Sequence, residues 1–342
     1  MRQVVLNQLN IELIYMSSIT FQEKTYRLKE NETVLDCLLR HQQGIPFSCR
    51  SGVCQSCLLR AINGQPPKAA TVNLRTTYQR QGYFLACRWQ PDSDIEVALP
   101  DMASTTIAAE ILSLTNLCHN VKAIRLKPLE AFECLPGQYI NLINPNNVTR
   151  SYSIANLADE DGYIELHVRY VAGGAMTTWL FQQAQAGDRV HLRGPIGHCF
   201  YEIEDTTQAP DFPIVLVGIS TGLAPLLGVI KDSLRQQHQG PIQLIHGGLE
   251  EKDLYLIAEL QAMANKHRNF SYIPCAINSN SSVIQRTDIY QLTQQQLPIT
   301  DQTRVYICGD PNFVMKLKKQ VFLAGIASRN IFNDAFIPTK SV

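Results

Sequence analysis

The sequence predicts a multidomain chain: a small α+β unit, then an antiparallel β-barrel, then an α/β unit built on a parallel sheet. Three observations carry this. At 342 residues the chain exceeds one comfortable core and suffices for two or three. Its hydrophobic pattern changes from period-two runs in the middle to continuous apolar strands near the end. Its cysteines are unevenly spread, with a tight group between residues 49 and 87.

Residues 1–17 form an N-terminal extension with no partner in the rest of the chain, and Met16 is a candidate alternative start. The first unit, 18–100, opens with strand-like Ile19-Thr20-Phe21 and Thr25-Tyr26-Arg27-Leu28. Thr33 then offers an N-cap with Asp36 three residues on, resembling a capping box. Val34, Leu35, Leu38 and Leu39 give the helix an apolar face, and Gly44 is its expected stop. Ile95-Glu96-Val97-Ala98-Leu99 closes the unit before Pro100-Asp101. In the second unit, 101–210, Ile164–Arg169 and Arg189–Leu192 alternate as half-buried antiparallel strands do. In the third, 211–342, Ile214–Val217 and Val305–Ile307 are apolar throughout, each followed by glycine and a helical pattern. That is the grammar of a parallel sheet covered on both faces.

Composition narrows the function. Hydrophobic residues make up 45% and charged residues 18%, an ordinary globular balance. Lys plus Arg equals Asp plus Glu at 30 each, so neither nucleic acid nor an anionic membrane is an expected partner. Apolar runs such as Phe212–Val217 are far too short to span a bilayer, and no export signal opens the chain. A cytoplasmic monomer is expected, and ten cysteines in such a setting are not a disulfide framework.

The chemistry is announced by Cys49-x4-Cys54-x2-Cys57 with Cys87 far downstream, the plant-type [2Fe–2S] spacing. Three thiolates from one loop and a fourth from a distant strand can grip both irons. A zinc site is the alternative, but structural zinc usually joins two Cys-x2-Cys pairs, and Cys87 has no second cysteine nearby. Residues 44–57, Gly-Ile-Pro-Phe-Ser-Cys-Arg-Ser-Gly-Val-Cys-Gln-Ser-Cys, resemble the cluster loop of plant-type ferredoxins, whose fold is a β-grasp. The chain after them resembles ferredoxin–NAD(P)H reductases. Together they look like the reductase components of bacterial multicomponent oxygenases.

That resemblance implies the remaining sites. Arg150-Ser151-Tyr152-Ser153 matches the family's Arg-x-Tyr-Ser, with Arg150 on the flavin pyrophosphate, Tyr152 against flavin and ribityl, and Ser153 near N5. Gly174, Ala175, Met176 and Thr177 open a helix whose amide groups suit a pyrophosphate, which favours FAD over FMN. Gly218-Ile219-Ser220-Thr221-Gly222-Leu223-Ala224-Pro225 resembles the family's Gly-Gly-Thr-Gly-x-Ala-Pro loop for the nicotinamide dinucleotide, with Ile219 and Ser220 replacing two glycines. Cys308-Gly309-Asp310-Pro311 resembles Cys-Gly-x-Pro, placing Cys308 beside the hydride path, although a buried strand-end cysteine would look the same. Phe336 looks like the aromatic that covers the flavin. Glu250 and Glu251 after the second parallel strand would repel a 2′-phosphate, so NADH is expected over NADPH, with Lys252 and Arg286 as the cations that would favour the latter.

The expected function is then electron transfer: hydride from NADH reaches FAD, and single electrons pass to the cluster and on to a partner protein, an oxygenase or hydroxylase. A reductase serving a deoxysugar-type dehydratase, and a redox-responsive binding module, are the alternatives. Cys37, Cys118, Cys134, Cys199 and Cys275 read as isolated structural residues, the histidines as hydrogen-bonded or surface groups, and Asp253–Leu260 as the exposed face of a helix.

Overall fold

A computed structural model of the chain describes residues 17–203 and 210–337; the N-terminal extension apart from Ser17 lies outside them. By internal contacts the chain divides into two units, residues up to 100 without 47–49, and residues 101 onward together with 47–49.

The first unit holds a five-stranded sheet of β1 (Ser18–Phe21), β2 (Lys24–Arg27), β3 (Leu58–Asn63), β4 (Tyr83–Leu85) and β5 (Ile95–Ala98), in the order β2-β1-β5-β3-β4. Gln22 and Glu23 both take positive φ, as a two-residue hairpin turn requires. β5 runs parallel to β1, so the chain must cross over between them, and the helix Val34–Arg40 does so. Thr33 caps that helix, its Oγ1 accepting from Asp36 N at 3.1 Å and donating to Asp36 Oδ2 at 2.7 Å. Val34, Leu35, Cys37 and Leu38 are buried under it. The helix stops before Gly44: His41 caps it and Gln42, not the glycine, adopts the left-handed turn.

The second unit begins with an antiparallel sheet of β6 (Ile107–Asn116), β7 (Val121–Pro128), β8 (Tyr139–Ile143), β9 (Thr149–Ser153), β10 (Ile164–Arg169) and β11 (Arg189–Ile196). Their order is β10-β7-β6-β11-β8-β9, and an Ile154–Leu166 bridge joins the two ends. The sheet therefore curls into a barrel, filled by Ile111, Ile124, Ile140, Leu142, Leu166 and their neighbours. β11 alternates exposed and buried over Arg189–Leu192, as expected, and no further, since Arg193 is buried too. β10 does not: Glu165 and His167 are buried beside its apolar residues. Glu165 accepts from Arg125 Nε at 2.8 Å and lies 3.3 Å from His167 Nε2, while His167 Nδ1 meets Tyr255 OH at 3.1 Å. Burial is tolerated there because each polar group has a partner.

The rest of this unit is a six-stranded, all-parallel sheet: β12 (Ile214–Ile219), β13 (Ile242–Glu250), β14 (Phe270–Asn278), β15 (Gln285–Arg286), β16 (Arg304–Gly309) and β17 (Ile331–Ala335), in the order β15-β14-β13-β12-β16-β17. Leu216, Leu244 and Tyr306 pack into one core layer, and Val215, Val217, Ile245 and Ile307 into another, so both faces are covered. Asp253–Leu260 departs from expectation. The helix starts only at Ile257, and Leu254 and Tyr255 are buried, because Tyr255 turns in to the barrel's His167.

Candidate functional site

In the first unit Cys54, Cys57 and Cys87 are buried at 8%, 3% and 7% exposure, too little for thiols serving solvent chemistry. Cys57 and Cys87 share a hydrogen bond, and that bond, followed by burial, pushes the Cys57 thiol well above its ordinary value. Cys54 adds like-charge repulsion. Thiols this close oppose one another's ionisation, and iron is what would relieve them. Arg50, Gly52 and Gln55 all take positive φ, winding the loop tightly; a Cβ at Gly52 would strike the Arg88 side chain. Arg50 is tied back to Asp36 on the helix. Cys49 is half-exposed. Among the described residues no three His, Cys, Asp or Glu side chains are gathered around a single ion. A two-iron cluster shares four thiolates between two irons, so its ligands surround a larger volume.

In the second unit the barrel's β9 carries Arg150, Tyr152 and Ser153. Arg150 is half-buried, donating from Nη1 to Thr149 O at 2.7 Å. Burial pulls its guanidinium below the ordinary value, and no carboxylate among the described residues offsets that. A phosphate is the counter-charge such a site fits. Burial likewise drives the Tyr152 phenol up, and its ring packs on the barrel core. The helix Ala175–Gln182 begins at N-cap Gly174 with Ala175 exposed. Two neighbouring side chains serve the fold itself. Met176 is a core residue at 1% exposure, and the Thr177 hydroxyl is engaged by Val171, accepting from its N–H at 3.2 Å and donating to its carbonyl at 3.0 Å. The hydroxyl staples the loop shut.

The parallel sheet presents its carboxyl edge with three predicted segments on it. Ser220–Gly222 turns sharply after β12, and a Cβ at Gly222 would collide with the Cys308 carbonyl. That contact brings Thr221, half-exposed, against the end of β16. Gly218 is buried within β12, and Gly309 ends β16. Asp310 caps the next helix, accepting from Asn312 N and Phe313 N at 3.0 Å each, so its carboxylate is already engaged. Phe336 donates its amide to Gly309 O at 2.8 Å, which holds it beside the same strand end.

Two residues join this site that the sequence did not single out. Asp334 sits in register with Cys308 across β16 and β17, and Ser153 Oγ donates to its Oδ2 at 3.1 Å, bridging barrel and sheet. Burial raises the Asp334 carboxyl to about 6, against the lowering effect of that bond. Cys199 is not isolated: its Sγ lies 3.5 Å from Cys308 Sγ, both thiols being buried. Burial first, then this neighbour, pushes Cys308 well above its ordinary value, so it is a neutral thiol and not a nucleophile. Ser153, Cys308 and Asp334 thus meet at the junction of barrel and parallel sheet, where each is oriented by another.

Comparison with known proteins decides the family. Residues 19–92 match the 2Fe-2S iron-sulfur cluster binding domain, 108–201 the oxidoreductase FAD-binding domain and 216–319 the oxidoreductase NAD-binding domain. The reductase subunit of an aromatic O-demethylase from Amycolatopsis sp. is 30% identical over 319 residues, covering 90% of this chain and 95% of that one. The chain belongs to the ferredoxin–NAD(P)H reductase family with an N-terminal [2Fe–2S] domain. The toluate 1,2-dioxygenase electron transfer component of Pseudomonas putida is also 30% identical, over 89% of this chain and 92% of its own. Among solved structures, the Amycolatopsis cytochrome P450 reductase GcoB superposes with a TM-score of 0.67 at 28% identity, over 94% of this chain and 99% of that one. The chain is therefore an electron-transfer oxidoreductase with domains for a [2Fe–2S] cluster, FAD and NAD. No helix among the described residues is long and apolar enough to cross a membrane.

Proposed function

We propose that this protein is the NADH-oxidising reductase of a cytoplasmic oxygenase or hydroxylase system. The junction of Ser153, Cys308 and Asp334 carries the reading, since it puts a hydroxyl, a neutral thiol and a carboxyl of raised affinity for protons where the flavin and nicotinamide domains meet. Bound FAD supplies the exchange between a two-electron hydride donor and a one-electron cluster. The protein's part is position and charge. Arg150 and the start of the helix 175–182 hold the flavin phosphates, and Tyr152 lines its ring system. Thr221 and Gly222 hold the dinucleotide, Phe336 occupies its place until it arrives, and Cys308 sets its approach. Ser153 and Asp334 hold a proton at the junction. Cys49, Cys54, Cys57 and Cys87 ligate the cluster, within units bounded as 18–100, 101–210 and 211–342. The relatives' names, an aromatic O-demethylase and a toluate dioxygenase, support an oxygenase as the acceptor.

The test is turnover. Purified protein should reduce cytochrome c and ferricyanide rapidly with NADH and support a purified oxygenase component of its own cell. Negligible turnover, with partner binding that switches on cluster reduction, would instead establish a redox-responsive binding module.

A further inference from the structure

The chain is neutral in sum but not along its length. Residues 37–91, which hold Cys49, Cys54, Cys57 and Cys87, carry seven Lys and Arg and no Asp or Glu. The whole chain has 30 of each sign, so everything outside this stretch is acidic by seven. The last two acids before it, Glu32 and Asp36, are paired with Arg40 (2.8 Å) and Arg50. Counting those in, five cations stay in surplus: Arg60, Lys68, Arg75, Arg80 and Arg88, all of them exposed.

Two of the five, and a pair of valines, are fastened to the cysteine loop. Arg88 follows Cys87 directly, and its side chain lies across Gly52, where an added Cβ would come within 2.8 Å of its Cγ. Asn73 Nδ2 donates to Gly52 O at 2.8 Å, and Gln55 Nε2 donates to Asn73 O at 2.6 Å. These two bonds clamp the segment 72–75 to the loop, and Arg75 with it. Val53, beside Cys54, and Val72, beside Asn73, are 53% and 58% exposed. Exposed apolar side chains among polar ones are the makings of a protein interface. Cations unmatched by carboxylates steer an acidic partner in and turn a basic one away.

We propose that this face is where the electron acceptor docks, and that the acceptor is a protein with an acidic surface around its own redox centre. The valines exclude water at the contact, while Arg75, Arg88 and Lys68 set the speed and orientation of encounter. The rest of the chain, being acidic, repels such a partner, so the charge pattern also directs it to the cysteine loop. The inference rests on the reading of the protein as a reductase that delivers electrons from its cluster.

One acceptor in two charge forms tests this on the holoprotein. Cytochrome c is basic; succinylation turns its lysines into carboxylates and leaves the haem in place. At an ionic strength of about 10 mM, where charges act over about 30 Å, kcat/KM should be at least about tenfold higher for the succinylated form. Near about 1 M salt, where they act over about 3 Å, the two forms should agree within about threefold. Arg75→Glu combined with Arg88→Glu should reverse the order at low salt, with NADH-dependent ferricyanide reduction and the visible spectrum as in wild type. Equal rates at low salt, or a preference for native cytochrome c, overturn the proposal. Should that double variant fail to assemble its cluster, Lys68→Glu with Arg75→Glu decides, and an unchanged ratio overturns it. Self-association, or sedimentation with phosphatidylserine vesicles, that the variant loses would give the face to a second copy or a membrane and overturn it too. Failure to reduce either form sinks the reductase reading itself.

Discussion

The cysteine loop and the junction of barrel and parallel sheet are built in opposite ways. Cys54 and Cys57 lie three residues apart on a loop wound by Arg50, Gly52 and Gln55, and only Cys87 comes from a distance. The barrel–sheet junction has no such local frame. Ser153 and Asp334 are 181 positions apart and Cys199 and Cys308 are 109, brought together by strand register and by the packing of barrel on parallel sheet. A site made of ligands to one inorganic group fails when one ligand goes. A site made of residues that orient one another loses function by degrees.

The largest expected effect breaks the first kind. Cys57→Ser should abolish the cluster, seen as loss of iron, sulfide and visible absorbance beyond the flavin, and with it cytochrome c reduction. NADH-dependent ferricyanide reduction should persist at a similar rate, because the flavin alone can serve it; joint loss of both would refute the division of labour. Next, Cys308→Ala should slow NADH-driven flavin reduction in stopped flow by roughly tenfold or more while the cluster stays intact, the size expected for lost positioning.

Asp334 gives a smaller effect with a definite sign. Its folded pKa of about 6 stands above the ordinary value of 3.8. Stability from this group is therefore fully present below about pH 4 and lost as pH rises through about 6. Asp334→Asn should remove that pH dependence and raise stability at pH 8 by on the order of 1 kcal/mol, measured by denaturant melts at pH 5 and pH 8. A variant less stable at pH 8 than wild type would show that the carboxylate is welcome there. The smallest effect belongs to Cys199→Ala, about two- to threefold on flavin reduction, since it touches Cys308 and not the cofactors. An effect as large as that of Cys308→Ala would mean that the thiols act as one unit.

Legibility in the sequence obeys the same division. Cysteine spacing is local, and the strands at 164–169 and 214–219 show in their own apolar residues. Asp334 sits two positions from Phe336, yet nothing local says that parallel pairing will place it opposite Cys308. Cys199 and Tyr255 look like strays until the barrel meets the sheet. Met176 and Asp310 show the converse: positions inside a motif can be occupied by core packing or a helix cap, since a motif's geometry needs support as well as contact.

The central claim is that one chain divides paired electrons between a flavin and a two-iron cluster. Anaerobic titration of the purified protein with NADH, followed by visible absorbance, tests it most directly. Full bleaching should require about one and a half equivalents, because the flavin takes two electrons and the cluster one, with about two irons and two sulfides per chain. A protein that bleaches completely at a single equivalent, or that carries zinc in place of iron, would contradict the account.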